Sequence, residues 1–93
     1  MKIQGKVCVV TGGASGLGAA TAQYLVSQGA RVIMVDMNQE LGQQLQQQLG
    51  SQSEFLAVDV TDENQVLQLF SHIEQKYGQL NGLVNCAGIA PSA

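Results

Sequence analysis

Four glycines, Gly12, Gly13, Gly16 and Gly18, fall within the stretch GGASGLG, directly after the apolar run KVCVVT. Glycine weakens strands and helices alike, so concentrating it at one point needs a local reason. A turn leading from a strand into a helix offers one. The first amides of a helix have no partner within it, and the helix dipole makes that end positive. A pyrophosphate can sit there if no side chain keeps it away. On this reading Gly12 permits the tight turn, Gly16 the close approach of the ligand, and Gly18 the packing of the helix against the sheet. A carboxylate, Asp36, ends the next apolar run, RVIMVD. At that place it can accept hydrogen bonds from both hydroxyls of a ribose, and it repels a 2′-phosphate. Its competing use is as a cap for the helix that begins near Asn38. No Gly-Lys-Ser/Thr follows the glycines, which excludes a triphosphate P-loop, and Thr21 stands where the last glycine of G-x-G-x-x-G would be.

These residues need elements to hold them. Lys6–Thr11 reads as a short strand buried on both faces, as in a parallel sheet. Leu17–Gln28 is rich in helix formers and stops at Gly29. Arg31–Asp36 is a second buried strand. A second helix follows, capped by Asn38, with Leu41, Leu45 and Leu49 in one stripe and Gly50 at its end. The glutamine-rich residues 39–52 read as its solvated face. Glu54–Val58 is a third strand. Thr61 is the expected cap of a third helix, which carries Val66, Leu69, Phe70, Ile73 and Tyr77 on one face and stops at Gly78. Asn81–Asn85 is a fourth strand. The order β-α-β-α-β-α-β predicts an α/β fold, a Rossmann doubly wound parallel sheet with helices on both faces. Strand four would leave an apolar edge, which natural sheets avoid. Residues 1–93 are therefore expected to be the N-terminal nucleotide-binding portion of a single domain that continues beyond residue 93.

Composition narrows the partners. The chain has 93 residues, 45% hydrophobic and 12% charged, with a net charge of −3. Its four basic residues are scattered, so no basic stripe for nucleic acid exists. No apolar run is long enough for a membrane span, and the N-terminus MKIQGKV has no secretory apolar segment. Cys8 and Cys86 lack metal-ligand spacing and read as reduced thiols of a cytoplasmic protein. Cys8 reads as core filler, and Cys86 has no basic neighbour in sequence to activate it. His72 reads as a surface or boundary residue of the third helix.

The spacing T-G-x-x-x-G-x-G of Thr11, Gly12, Gly16 and Gly18 resembles the signature of the short-chain dehydrogenase/reductase family. Two more family motifs follow in order: Asp59-Val60 after the third strand and Asn85-Cys86-Ala87-Gly88 after the fourth. Cys86 departs from the family's N-N-A-G, where a second asparagine stands. GGASGLG together with NCAGIA resembles the type 2 3-hydroxyacyl-CoA dehydrogenase branch, also known for oxidising hydroxysteroids. The resemblance covers essentially the whole chain. It implies NAD as cofactor, favoured over NADP because Asp36 is acidic and neither Ala14 nor Met37 is basic. It places the Leu17 amide on the pyrophosphate, Ser15 near the ribose, Asp59 at the adenine amino group and the Val60 backbone at the adenine ring. Asn85, Cys86 and Gly88 would line the cofactor through their backbone.

The same resemblance implies hydride transfer from an alcohol carbon to a nicotinamide. A tyrosine serves as base, a lysine four residues on lowers its pKa, and a serine orients the substrate oxygen. That Tyr-x-x-x-Lys pair is absent from these residues: Tyr24 is followed four places on by Gln28 and Tyr77 by Asn81. No catalytic residue and no metal ligand is therefore expected here, and the isolated chain is expected to be inactive and poorly soluble. Implied partners are a small alcohol or ketone or an acyl-CoA, and further copies of the protein in a homodimer or homotetramer. Two other readings stand beside this one. A non-catalytic NAD-binding module of the same fold would lack Tyr-x-x-x-Lys downstream. A methyltransferase would leave Asp59-Val60 and the N-C-A-G motif unexplained.

Overall fold

The four apolar runs form one parallel sheet in the computed structural model, which describes residues 3–14 and 16–86. Strands β1 (Val7–Thr11), β2 (Arg31–Asp36), β3 (Ser53–Ala57) and β4 (Gly82–Asn85) alternate with helices α1 (Gly16–Ser27), α2 (Gln39–Leu49) and α3 (Glu63–Tyr77). The sheet order is β3-β2-β1-β4, with every pairing parallel. This is the expected α/β arrangement. Thr11 lies level with Val35 on one side and Asn85 on the other, and Asp36 with Ala57. The C-terminal ends of all four strands therefore share one rim.

The runs of β1 and β2 are continuous because both faces of the sheet are covered there. Successive side chains point to opposite faces. Val7, Val9, Ile33 and Val35 meet Leu69 and Ile73 of α3. Cys8, Val10, Val32 and Met34 meet Ala22 of α1 and Leu45 of α2. Val9, Val10, Ile33 and Met34 retain no exposed surface. Each such side chain stabilises the fold by about 2 kcal/mol relative to exposure. Cys8 is part of this packing, and burial pushes its thiol above the ordinary value of 9.0. It is core material, as the sequence suggests.

Helix α2 begins as expected at Asn38, whose side-chain oxygen accepts from the Leu41 amide at 3.1 Å. Of its leucine stripe only Leu45 is fully buried. Leu41 faces largely outward, because Gly42 is the residue beside it that turns in, against the Phe55 ring. Gln43, Gln44, Gln47 and Gln48 are exposed. Gln46 differs, since its side-chain oxygen accepts the Phe55 amide of β3 at 2.7 Å.

Helix α3 corrects one expectation. Its cap is Asp62, not Thr61: the Asp62 carboxylate accepts from the amides of Asn64 at 3.0 Å and Gln65 at 3.4 Å. Thr61 is drawn the other way. Its amide and hydroxyl both donate to Asp59 Oδ1, at 2.9 and 2.6 Å. Within the apolar stripe Leu69 and Ile73 are buried, while Phe70 sits at the margin and stays partly exposed.

A polar cluster fastens α3 to β3. Glu54 accepts from His72 Nε2 at 2.9 Å, from Lys76 Nζ at 3.1 Å and from the Tyr77 hydroxyl. Arg31 and Lys76 also approach the Tyr77 ring, 5.4 and 5.5 Å from its centroid. Burial alone would raise the Glu54 carboxyl, but the donors on Tyr77, Lys76 and His72 outweigh it and hold the group below its ordinary 4.5. The sign of the pH effect follows. A carboxyl depressed in the folded state stabilises above its unfolded value, and that contribution fades as pH falls through the folded value. Glu54→Gln is thus expected to cost about 1–2 kcal/mol at pH 7, with the difference from the native protein vanishing well below pH 4.5. Denaturant unfolding of both proteins at the two pH values checks this; a pH-independent difference would exclude an ionised Glu54 as its source.

Candidate nucleotide-binding rim

The rim is built where β1 turns into α1. Gly12 adopts φ +66°, which gives the chain its sharp turn out of the strand. The Gly13 amide then donates to Val35 O at 3.1 Å, tying the turn to β2. Gly18, one turn into α1, lies against the turn itself. A Cβ there would stand 2.6 Å from the Gly12 carbonyl carbon and 2.9 Å from Gly13 Cα. Gly16, at φ +48°, has the opposite surroundings: a Cβ would meet nothing within 4 Å. The three glycines thus do three separate things: one bends the chain, one seats the helix, and one leaves open space at the helix N-terminus. Gly13 is a fourth that the motif does not flag. A Cβ on it would press on Val10 O at 2.8 Å and Met34 Cβ at 3.0 Å. Nothing local in the sequence reveals that, because Met34 lies on the neighbouring strand.

The strand order sets the sequence of loops along the rim: Asp59 and Val60 after β3, Asp36 after β2, the glycine turn after β1, then Asn85 and Cys86 after β4. Strands β2 and β3 are added on one side of β1 and β4 on the other, and this switch between β1 and β4 makes the kind of crevice where open α/β sheets take ligands. The side of the turn nearest β4 is tied down by Thr11, whose hydroxyl donates to Asn85 Oδ1 at 2.8 Å, and by the Cys86 amide, which donates to Thr11 O at 3.1 Å. Asp36 Oδ2 accepts from the Ala14 amide at 3.2 Å, and Oδ1 from the Asn38 amide at 3.0 Å. Met37 beside it is exposed.

Asp59 is held by Thr61, whose hydroxyl and then amide keep its carboxyl below the ordinary 3.8, so it is an anion at neutral pH. Its own amide donates to Gln65 Oε1 at 2.8 Å, and Gln65 Nε2 donates to Asp62 Oδ2 at 3.2 Å. Gln65 therefore braces the Asp59 loop from the first turn of α3. Sequence reading overlooked it, although Asp62-x-x-Gln65 carries the spacing of a capping box. Val60 is partly exposed at the same loop, and Leu17 is exposed on the first turn of α1. Ser15 and Gly88, also expected at this site, lie outside the described residues.

The basic side chains stay away from this rim among the described residues. Arg31 opens β2, Lys6 precedes β1, and Lys76 lies in the last turn of α3. Among the described residues the rim thus offers helix amides for an anion and two carboxylates for neutral donors, but no cation for an extra phosphate. It is an open edge of the sheet; a concave surface of about 310 Å³ beside Phe70, Ile73 and Leu80 lies elsewhere, on α3. Among the described residues, no group of three or more His, Cys, Asp or Glu side chains is arranged to hold a metal ion. Among the described residues, no helix is long and apolar enough to cross a membrane.

Residues 6–93 match the family described as short chain dehydrogenase. The chain is similar to 3-hydroxyacyl-CoA dehydrogenase type-2 of Drosophila melanogaster, 46% identical over 88 residues, covering 95% of this chain and 34% of the relative. It is similar to tropinone reductase-like 2 of Erythroxylum coca, 41% identical over 88 residues, covering 95% of this chain and 32% of the relative. A crystal structure of a short chain dehydrogenase from Bacillus anthracis superposes with a TM-score of 0.86 at 25% identity, over 91% of this chain and 36% of that one. The chain spans about a third of the length of the curated relatives it matches. The glycine turn at the crevice between β1 and β4 and the match across residues 6–93 lead to one conclusion: the chain belongs to the short-chain dehydrogenase family.

Proposed function

We propose that this rim binds NAD, and that the chain is the nucleotide-binding part of a dehydrogenase that oxidises a secondary alcohol, a 3-hydroxyacyl-CoA or a hydroxysteroid-like substrate. The observation that carries the reading is the pairing of an open helix N-terminus at Gly16 with the carboxylate of Asp36 at the next strand end. The dinucleotide fits those residues. Its pyrophosphate has the open space that a side chain on Gly16 would fill, and Asp36 is turned toward the glycine turn, where the adenosine ribose would lie. Asp59 and Val60 are then next along the rim for the adenine. When bound, NAD supplies the hydride acceptor. The residues here bind and orient it, and the proton-transfer groups that the family resemblance implies are not among these 93 residues. The 46% identity to a 3-hydroxyacyl-CoA dehydrogenase supports that substrate class. The working protein is read as a cytoplasmic homodimer or homotetramer.

The test is a calorimetric or fluorescence titration of the purified protein with NADH, NADPH and S-adenosylmethionine. NADH is expected to bind at least about tenfold more tightly than NADPH, a difference of about 1.4 kcal/mol. Asp36→Ala should narrow that gap by weakening NADH. Equal binding of the two, preference for NADPH, or binding of S-adenosylmethionine alone would overturn the reading.

A further inference from the structure

The Asp36 carboxylate is gripped from both sides by main-chain amides. Oδ2 accepts from Ala14 at 3.2 Å and Oδ1 from Asn38 at 3.0 Å. Neither donor is free to swing. Ala14 is buried and follows Gly13, which is pressed over Val10 and Met34 and bonded to Val35. Asn38 is the cap of α2: its side chain takes the Leu41 amide and its carbonyl takes the Gly42 amide at 3.0 Å. One grip is thus fixed by strand packing and the other by a helix terminus.

An ionised carboxylate offers about four acceptor positions, two on each oxygen. One on each oxygen is already used here. The plane of the group is therefore set, and each oxygen keeps one position free. Two free acceptors side by side suit two neighbouring hydroxyls. They do not suit a phosphate, which brings only acceptors and negative charge. We propose that Ala14 and Asn38, through their backbone amides, are positioning residues that pre-set Asp36 for a vicinal diol and so determine selection against a 2′-phosphorylated dinucleotide. This inference rests on the reading of Asp36 as the ribose site. The alternative is that the two amides exhaust the purpose of Asp36, which then serves only to join two loops.

Asn38 allows the amide to be tested apart from its side chain. Its φ of −83° is close to the proline range, so Asn38→Pro deletes the N–H donor in a backbone that already has the right shape. Asn38→Ala deletes the helix cap but keeps the amide. Both variants lose the cap, so their difference reports the replacement of the N–H donor by the proline ring. The dissociation constants of NADH and NADPH are measured for each in the purified protein. The NADPH-to-NADH ratio is expected to be at least fivefold smaller in Asn38→Pro than in Asn38→Ala. Equal ratios in the two variants overturn the inference while leaving the NAD reading intact. A native protein that fails to prefer NADH overturns that reading, and this inference with it. Amide hydrogen exchange without nucleotide gives a second measurement that needs no proline variant. The Ala14 and Asn38 amides should exchange at least tenfold faster in Asp36→Ala than in the native protein. Unchanged exchange at both amides also overturns the inference.

Discussion

Gly18→Ala is expected to weaken NADH binding by roughly a hundredfold or more, about 2.7 kcal/mol, and to destabilise the protein by about 3 kcal/mol. The added methyl has no room: it would collide with the Gly12 carbonyl group and Gly13 Cα, all backbone of the turn. Main chain cannot rotate out of the way as a side chain can, so either α1 must lift from the sheet or the turn must open. Both change the direction of the first helical amides, which is why stability and binding should fall together. Gly16→Ala separates the two effects. A Cβ at Gly16 enters open space, so the fold pays only for the left-handed backbone, about 1–2 kcal/mol. Binding should still be lost, because that space is where the pyrophosphate would lie. Thermal unfolding and nucleotide titration of the two variants check the pair. A Gly18→Ala protein with native stability would show that the helix is not seated on the turn as described.

Gly42→Ala sets two effects against each other. In an exposed helix interior the change gains about 1 kcal/mol from propensity. Here the new Cβ would overlap the Phe55 ring on β3. Phe55 cannot yield freely, since it packs against the cluster of Val32, Met34 and Leu45. Its backbone amide is held by Gln46. Displacing the ring should cost about 2–3 kcal/mol, so overpacking wins and the variant is expected to lose about 1–2 kcal/mol. Phe55→Leu removes most of the overlap, and the double variant should be more stable than the sum of the singles predicts by about 1 kcal/mol. Denaturant unfolding of the four proteins measures this. Stabilisation by Gly42→Ala alone would mean that the ring swings aside at little cost.

Much of the fold was legible because buried parallel strands are written as unbroken apolar runs. KVCVVT and RVIMVD could be placed to within a residue for that reason. The helix stops were legible for a different reason: Gly29, Gly50 and Gly78 follow the three helices with positive φ, a backbone that glycine adopts readily where a helix ends. The strand-end placement of Asp36, Asp59 and Asn85 followed from the same segmentation. What could not be read is whatever depends on residues distant in sequence. Glu54 reaches His72, Lys76 and Tyr77 across a strand-to-helix contact, and no local pattern announces it. Gly42 looks like a weak point of α2 until Phe55 is seen against it. The misplaced cap of α3 has a subtler cause. Thr61 and Asp62 are both good caps, and the choice was made by Asp59, which takes the Thr61 hydroxyl first.

The contact between Gln46 and Phe55 has a consequence for one margin of the sheet. Along β3, the Val58 amide points inward to Asp36 O, so by alternation the Phe55 amide points outward, away from β2. That outward donor lies midway along β3, and the Gln46 side chain already holds it. At the other margin, among the described residues, β4 pairs with β1, and Leu83 leaves more than half its surface exposed. Among the described residues, one outward donor of β3 is therefore occupied by a side chain of its own neighbouring helix, while β4 lies at the opposite margin of the sheet. A helix side chain thus does at this margin what a neighbouring strand would otherwise do, taking up a main-chain donor of β3.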